Sequence, residues 1–94
     1  MKKGTWEAGL EIMMFHEGDN FVAFCPALNL ATQGKTFEEA DKAFDELIQI
    51  FMEEVIEMGT LDKVLEESGW TKTKQHWTPP TLVNQRTKKI QIPA

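Results

Sequence analysis

The sequence predicts an α+β domain. It reads as a two-layer sandwich in the order β-β-β-α-(α)-β, an antiparallel three-stranded meander with a long packing helix and a C-terminal strand. Three observations predict it. Residues 6–15 alternate in side-chain character with the period of a half-buried strand. Residues 37–58 carry apolar side chains at helical spacing. Gly18, Pro26, Gly34, Gly59 and Gly69 punctuate the chain between these runs. Strands followed by a helix and a returning strand pack as one sheet covered on one face.

The first strand spans residues 6–15. Trp6, Ala8, Leu10, Ile12 and Met14 share one face, and Glu7, Gly9, Glu11, Met13 and Phe15 share the other. Residues 16–20 (HEGDN) form a turn, because Gly and Asn tolerate positive φ and Asp bonds to nearby backbone. Residues 20–25 (NFVAFC) make the second strand of a hairpin. Pro26 has no N–H to give to a ladder, so it ends that strand. Residues 28–33 make a short third strand, and Gly34 breaks it.

Thr36 opens the long helix. Thr36 and Glu39 have capping-box spacing, in which each side chain satisfies the other residue's backbone N–H. Glu38, Glu39 and Asp41 favour the positive end of the helix dipole. Phe37, Ala40, Phe44, Leu47, Ile48, Phe51, Val55 and Met58 form the inward stripe. Ile50 and Ile56 fall outside it, with Met52 between them. They pack under the second helix and tail, or they touch a second subunit or partner. Gly59 ends this helix as a left-handed cap. Thr60 starts a short helix with Leu61, Val64 and Leu65 inward, and Gly69 stops it. In the tail, residues 88–92 (KKIQI) alternate and predict a last strand with Ile90 and Ile92 inward.

The chain has 94 residues and a net charge of −5, unevenly divided. Up to Trp70 there are fifteen acids and five bases, a net −10. Beyond Trp70 there are five bases (Lys72, Lys74, Arg86, Lys88, Lys89) and no acid, a net +5. The reading is a core over residues 1–70 and a basic tail over 71–94. An acidic body repels nucleic acid and suits a basic partner, while the basic tail either folds onto its own acidic body or touches a phosphate backbone. Trp77 with Lys72, Lys74 and Arg86 has the makings of a single-strand binder. The favoured reading packs Trp70 and Trp77 onto the sandwich instead. A single Cys excludes a disulfide within the chain and points to the cytoplasm. Glu7 and Glu11 interrupt any leader core, and no apolar run is long enough to span a membrane.

The segment FVAFCPALNLATQGKTFEEADKAFDELIQIF resembles the HicB family of toxin–antitoxin antitoxins. The residues that carry the resemblance are Phe21 and Phe24, Pro26, Gly34, Thr36, Glu38, Glu39 and Ala40. It covers roughly residues 5–58. Where many members carry Pro-Gly-Cys, this chain has Asn29, Leu30 and Ala31. The resemblance implies a truncated RNase H-like sandwich. It implies a binding protein without cofactor that covers the active surface of a small basic ribonuclease toxin. Many members add a DNA-binding domain. The 24 residues after Trp70 show no amphipathic helix pair, so no separate domain of that kind is expected.

Glu38, Asp41 and Asp45 on the helix, with Met13 and Phe15 on the outer sheet face, are the candidate toxin contacts. Exposed apolar surface and strand edges need cover, so a homodimer at least is expected. The alternatives are an orphan regulatory or scaffolding domain of the same fold and a metal-dependent nuclease. The nuclease needs carboxylates converging on two metals, with Glu11 on the first strand the best candidate beside Asp19, Asp41 and Asp45. Cys25 reads as a buried structural thiol. His16 and His76 lack ligand partners at zinc spacing.

Overall fold

The computed structural model describes residues 7–74 and 76–93. Its elements are β1 (Met13–Glu17), β2 (Asn20–Cys25), β3 (Leu30–Gly34), α1 (Phe37–Glu57), α2 (Leu61–Glu67), β4 (Thr71–Thr73) and β5 (His76–Thr78). The first three strands form an antiparallel sheet in the order β1-β2-β3, and β4 and β5 form a separate hairpin. The architecture is α+β, as the sequence predicts.

The register assigns the two faces. Met14, Ala23 and Thr32 lie in one row, and His16, Phe21 and Gly34 in another. These rows face α1. Met13, Phe24 and Ala31 share the opposite face with Phe15, Val22 and Gln33. Gly18 turns the first hairpin at φ +59°, and no left-handed φ follows at Asp19. That sign pattern belongs to a type II′ turn, whose twist suits a hairpin.

The first strand is shorter than predicted. Extending the β1–β2 register sets Ile12 opposite Cys25 and Glu11 opposite Pro26, where β2 has ended. Residues 7–11 therefore have no ladder partner, and Ile12, opposite the last residue of β2, stays outside the strand. Ala8, Leu10 and Met14 of one predicted face still pack against the core, but Ile12 of the same face is 37% exposed. Trp6, placed in this strand by the alternation, lies outside the described residues. His16, read as part of the turn, is in β1 and stacks on Phe21 with ring centres 4.5 Å apart. The third strand begins at Leu30 rather than residue 28. Asn29 takes a left-handed φ of +55° that a strand cannot hold.

Helix α1 begins as its cap predicts, with one change. Thr36 Oγ1 accepts from the Glu39 N–H at 3.0 Å. The Glu39 carboxylate accepts from the N–H of Lys35 at 3.1 Å, not from that of Thr36. The C-terminus closes as a Schellman motif. Gly59, at φ +71°, donates to Ile56 O, and Thr60 donates to Val55 O. The same pair of bonds ends α2, from Gly69 to Glu66 O and from Trp70 to Leu65 O.

The core cluster is Ala23, Cys25, Leu28, Phe44, Leu65, Trp70 and Trp77. It continues past Trp70 into the β4–β5 hairpin. Both ends of the predicted helix stripe fall outside it, with Phe37 50% and Met58 73% exposed. The predicted last strand is not formed. Residues 79–93 have no regular structure, and Ile90 and Ile92 are 70% and 78% exposed rather than inward. Among the described residues no strand pairs with them, and alternation without a partner does not make a strand. The radius of gyration is 16.3 Å, against roughly 12 Å for a compact domain of this length. The molecule measures 61 × 29 × 19 Å.

Gly34 controls how closely α1 approaches the sheet. A Cβ there would lie 2.5 Å from Ala40 N and 2.8 Å from Glu39 C, both backbone atoms. Gly34→Ala is therefore expected to cost about 1–3 kcal/mol through overpacking, read as a lower urea midpoint. Gly9→Ala meets nothing within 4 Å and is the expected neutral control.

Candidate interaction surfaces

Two tryptophans fix the C-terminal part of the core. Trp70 is 5% exposed, and its indole N–H donates to Ala27 O at 2.8 Å. This ties the end of α2 to the β2–β3 turn. Trp77 is 7% exposed and donates to Asp62 Oδ1 at 3.0 Å. Lys72 Nζ lies 3.5 Å from the other oxygen of Asp62 and 5.6 Å from the centre of the Trp77 ring. Buried among core residues, Trp77 offers no face for a base to stack on. The packed reading of both tryptophans holds.

The five candidate contacts do not form one site. Glu38, Asp41 and Asp45 are exposed on α1. Met13 and Phe15 lie on the opposite side of the sheet from α1, Met13 half-buried and Phe15 43% exposed. The structure brings the three acids together along one helical row and places the two apolar residues in a different layer. Met13 and Phe15 belong to an outer-face patch with Val22 and Phe24, both half-buried. A shallow open depression beside this patch is lined by Val22, Ala31, Thr32 and Gln33.

The acidic surface of α1 is larger than the three candidates. Its 21 residues carry eight carboxylates (Glu38, Glu39, Asp41, Asp45, Glu46, Glu53, Glu54, Glu57) against one base, Lys42. All nine are exposed. The side chains of Glu38, Asp41 and Asp45 make no hydrogen bond or ion pair among the described residues. Three of the acids stand at the wrong end for the helix. Glu53, Glu54 and Glu57 approach its C-terminus, and the last turn holds no basic residue. A negative charge there opposes the dipole, and Glu53 and Glu57 repel each other as i, i+4 neighbours. Their signal in the sequence was legible: acids in a last turn with no base.

The remaining residues singled out for chemistry stay apart. Glu11 lies outside β1, not on the first strand. Glu11, Asp19, Asp41 and Asp45 are all exposed. No three His, Cys, Asp or Glu side chains converge as a metal site among the described residues. Cys25 is fully buried in the core. Met52 packs against the core, but Ile50 and Ile56 are 53% and 61% exposed, so neither α2 nor the tail covers them. No described helix is long and apolar enough to cross a membrane. Comparison with protein-family models, curated proteins and solved structures finds no significant match.

Two substitutions separate what holds the fold from what works against it. Trp70→Phe leaves the Ala27 carbonyl without its indole donor and is expected to cost about 1–3 kcal/mol. Glu57→Lys converts a clash with the helix dipole into a match. It is expected to stabilise the chain by about 0.3–1 kcal/mol at low ionic strength, with the gain shrinking in high salt. Urea denaturation at two salt concentrations reads both.

Proposed function

We propose that the chain is a HicB-like antitoxin domain of truncated RNase H-like fold. It acts as a cytoplasmic binding protein that neutralises a small basic ribonuclease toxin by covering its active surface. The charge on α1 carries this reading. Seven net negative charges stand on one exposed helix, three of them placed against its own dipole. Folding gains nothing from that placement, whereas a cationic partner does. The residues that carry the resemblance to the antitoxins are placed compatibly with it. Gly34, Thr36, Glu39 and Ala40 seat the helix that displays the acids, and Phe21, Phe24 and Pro26 shape the strand beneath it.

The mechanism is competition for cations. A ribonuclease must attract the phosphates of RNA with basic side chains. A row of carboxylates presented at fixed helical spacing occupies those side chains and keeps the substrate out. Long-range attraction speeds encounter, and close apolar contact slows release. Ile50 and Ile56, exposed on the same helix, supply apolar surface for that contact.

The test is recovery of the tagged chain at endogenous expression. The expected result is a stoichiometric small basic protein that arrests growth when expressed alone and is rescued by this chain. Glu38→Gln, Asp41→Asn and Asp45→Asn together should weaken inhibition of its ribonuclease activity roughly 3- to 10-fold, as expected if each charge contributes a few tenths of a kcal/mol. The loss should fade at high salt. Glu57→Lys should weaken binding while raising stability. Recovery of the chain with copies of itself alone would overturn the toxin reading and leave the orphan regulatory domain. Magnesium-dependent cleavage by the purified chain, lost in Glu11→Gln, would point to the nuclease.

A further inference from the structure

Among the described residues the tail and one sheet edge both lack a strand partner, and they fit each other. Residues 79–93 are exposed almost throughout, with Leu82 at 65%, Val83 at 91%, Ile90 at 70% and Ile92 at 78%. The segment carries Arg86, Lys88 and Lys89 and no acid. Pro79 and Pro80 stiffen it as it leaves β5. It holds a strand pattern with nothing to pair to. The three-stranded sheet meanwhile has two outer strands, β1 and β3. Unpaired edges with apolar flanks recruit further strands.

Charge chooses between the two edges. β3 itself holds no acid and is followed by Lys35, and its nearest acids, Glu38 and Glu39, belong to the first turn of α1, where Glu39 accepts from the Lys35 N–H. α1 also packs chiefly against β3. The chain around β1 carries Glu7 and Glu11 before the strand, Glu17 within it and Asp19 after it, all exposed. A basic strand belongs beside β1.

We propose that residues 88–92 of one copy add as a strand to the β1 edge of a second copy, with the exchange made reciprocally. In the antiparallel register, Lys88 stands opposite Glu17, Ile90 opposite Phe15 and Ile92 opposite Met13. This alignment pairs Lys88 with Glu17, sets both isoleucines on the outer face and places each opposite an apolar residue. They extend the patch of Met13, Phe15, Val22 and Phe24. In the single chain the tail stands off its own body, so a second copy is the occupant. A two-fold exchange makes the same contact twice and leaves neither β1 edge open. This inference does not depend on the toxin reading.

The test uses the full chain. Light scattering should give twice the 10.8 kDa chain mass, and Ile90→Asp with Ile92→Asp should return the single-chain mass without loss of the folded spectrum. Phe15→Cys on one tagged copy, mixed with Ile90→Cys on another, should form an intermolecular disulfide on oxidation. Directly opposed strand residues lie within bridging distance, and Cys25 is buried and does not compete. Lys88→Glu should dissociate the dimer several-fold, and mixing it with Glu17→Lys should restore association. A single-chain mass at all concentrations would overturn the proposal. So would a dimer unaffected by the two aspartates, or a Phe15→Cys/Ile90→Cys chain that closes only on itself.

Discussion

The closeness of one backbone approach governs this structure. Gly34 ends β3 where the first turn of α1 begins, and the space its missing Cβ would fill is taken by the backbone of Glu39 and Ala40. The short link through Lys35 and Thr36 forces this. The chain leaves the sheet and becomes a capped helix within two residues, so the helix must start against the strand it has just left. Once α1 is seated there, Ala40 is buried beside Gly34, and Phe44 joins Ala23 and Cys25 in the core. The small residues Ala23, Cys25 and Gly34 keep this face shallow enough for the helix to lie close.

The second half of the chain closes the opposite end of that core. α2 is only seven residues long and is too short to be stable alone. It is held by Leu65 from inside and by its Schellman cap at Gly69, which turns the chain so that Trp70 points inward. Trp70 then reaches the carbonyl of Ala27, and the hairpin that follows brings Trp77 over α2 to Asp62. Two indole N–H groups thus tie the C-terminal hairpin to the body at both the sheet and the helix. Their burial moves the tail's aromatic surface into the core. The cations are left to Asp62 in the case of Lys72, and to solvent or partners beyond Thr78.

Much of the fold was legible because its signals are local. Thr36, Gly59, Gly69 and the middle of the apolar stripe each act within a turn or two of chain and sit where their chemistry predicts, while Glu39 caps Lys35 in place of Thr36 and the stripe's ends, Phe37 and Met58, are exposed. The misreadings arise where the outcome depends on a partner strand. Residues 7–11 alternate, but β2 stops at Cys25, before Pro26, and leaves them nothing to pair with. Residues 88–92 alternate just as well and meet no strand among the described residues. The β4–β5 hairpin left little trace, because its strands are three residues each and Lys74 takes the left-handed turn position without a glycine to mark it. The interaction surfaces were legible as charge but not as geometry. The sequence singles out Glu38, Asp41 and Asp45 together with Met13 and Phe15, and only the register shows that these belong to opposite layers.

The central claim is that the carboxylates of α1 face a basic protein. Zero-length coupling with a carbodiimide joins carboxylates only to amines in direct contact, so it tests that claim most directly. The chain, coupled in its native host at endogenous level and analysed by mass spectrometry, is expected to yield Glu38, Asp41 or Asp45 joined to lysines of one small basic protein. Recovery of these three residues uncoupled, or coupled only to lysines of this same chain, would contradict the account.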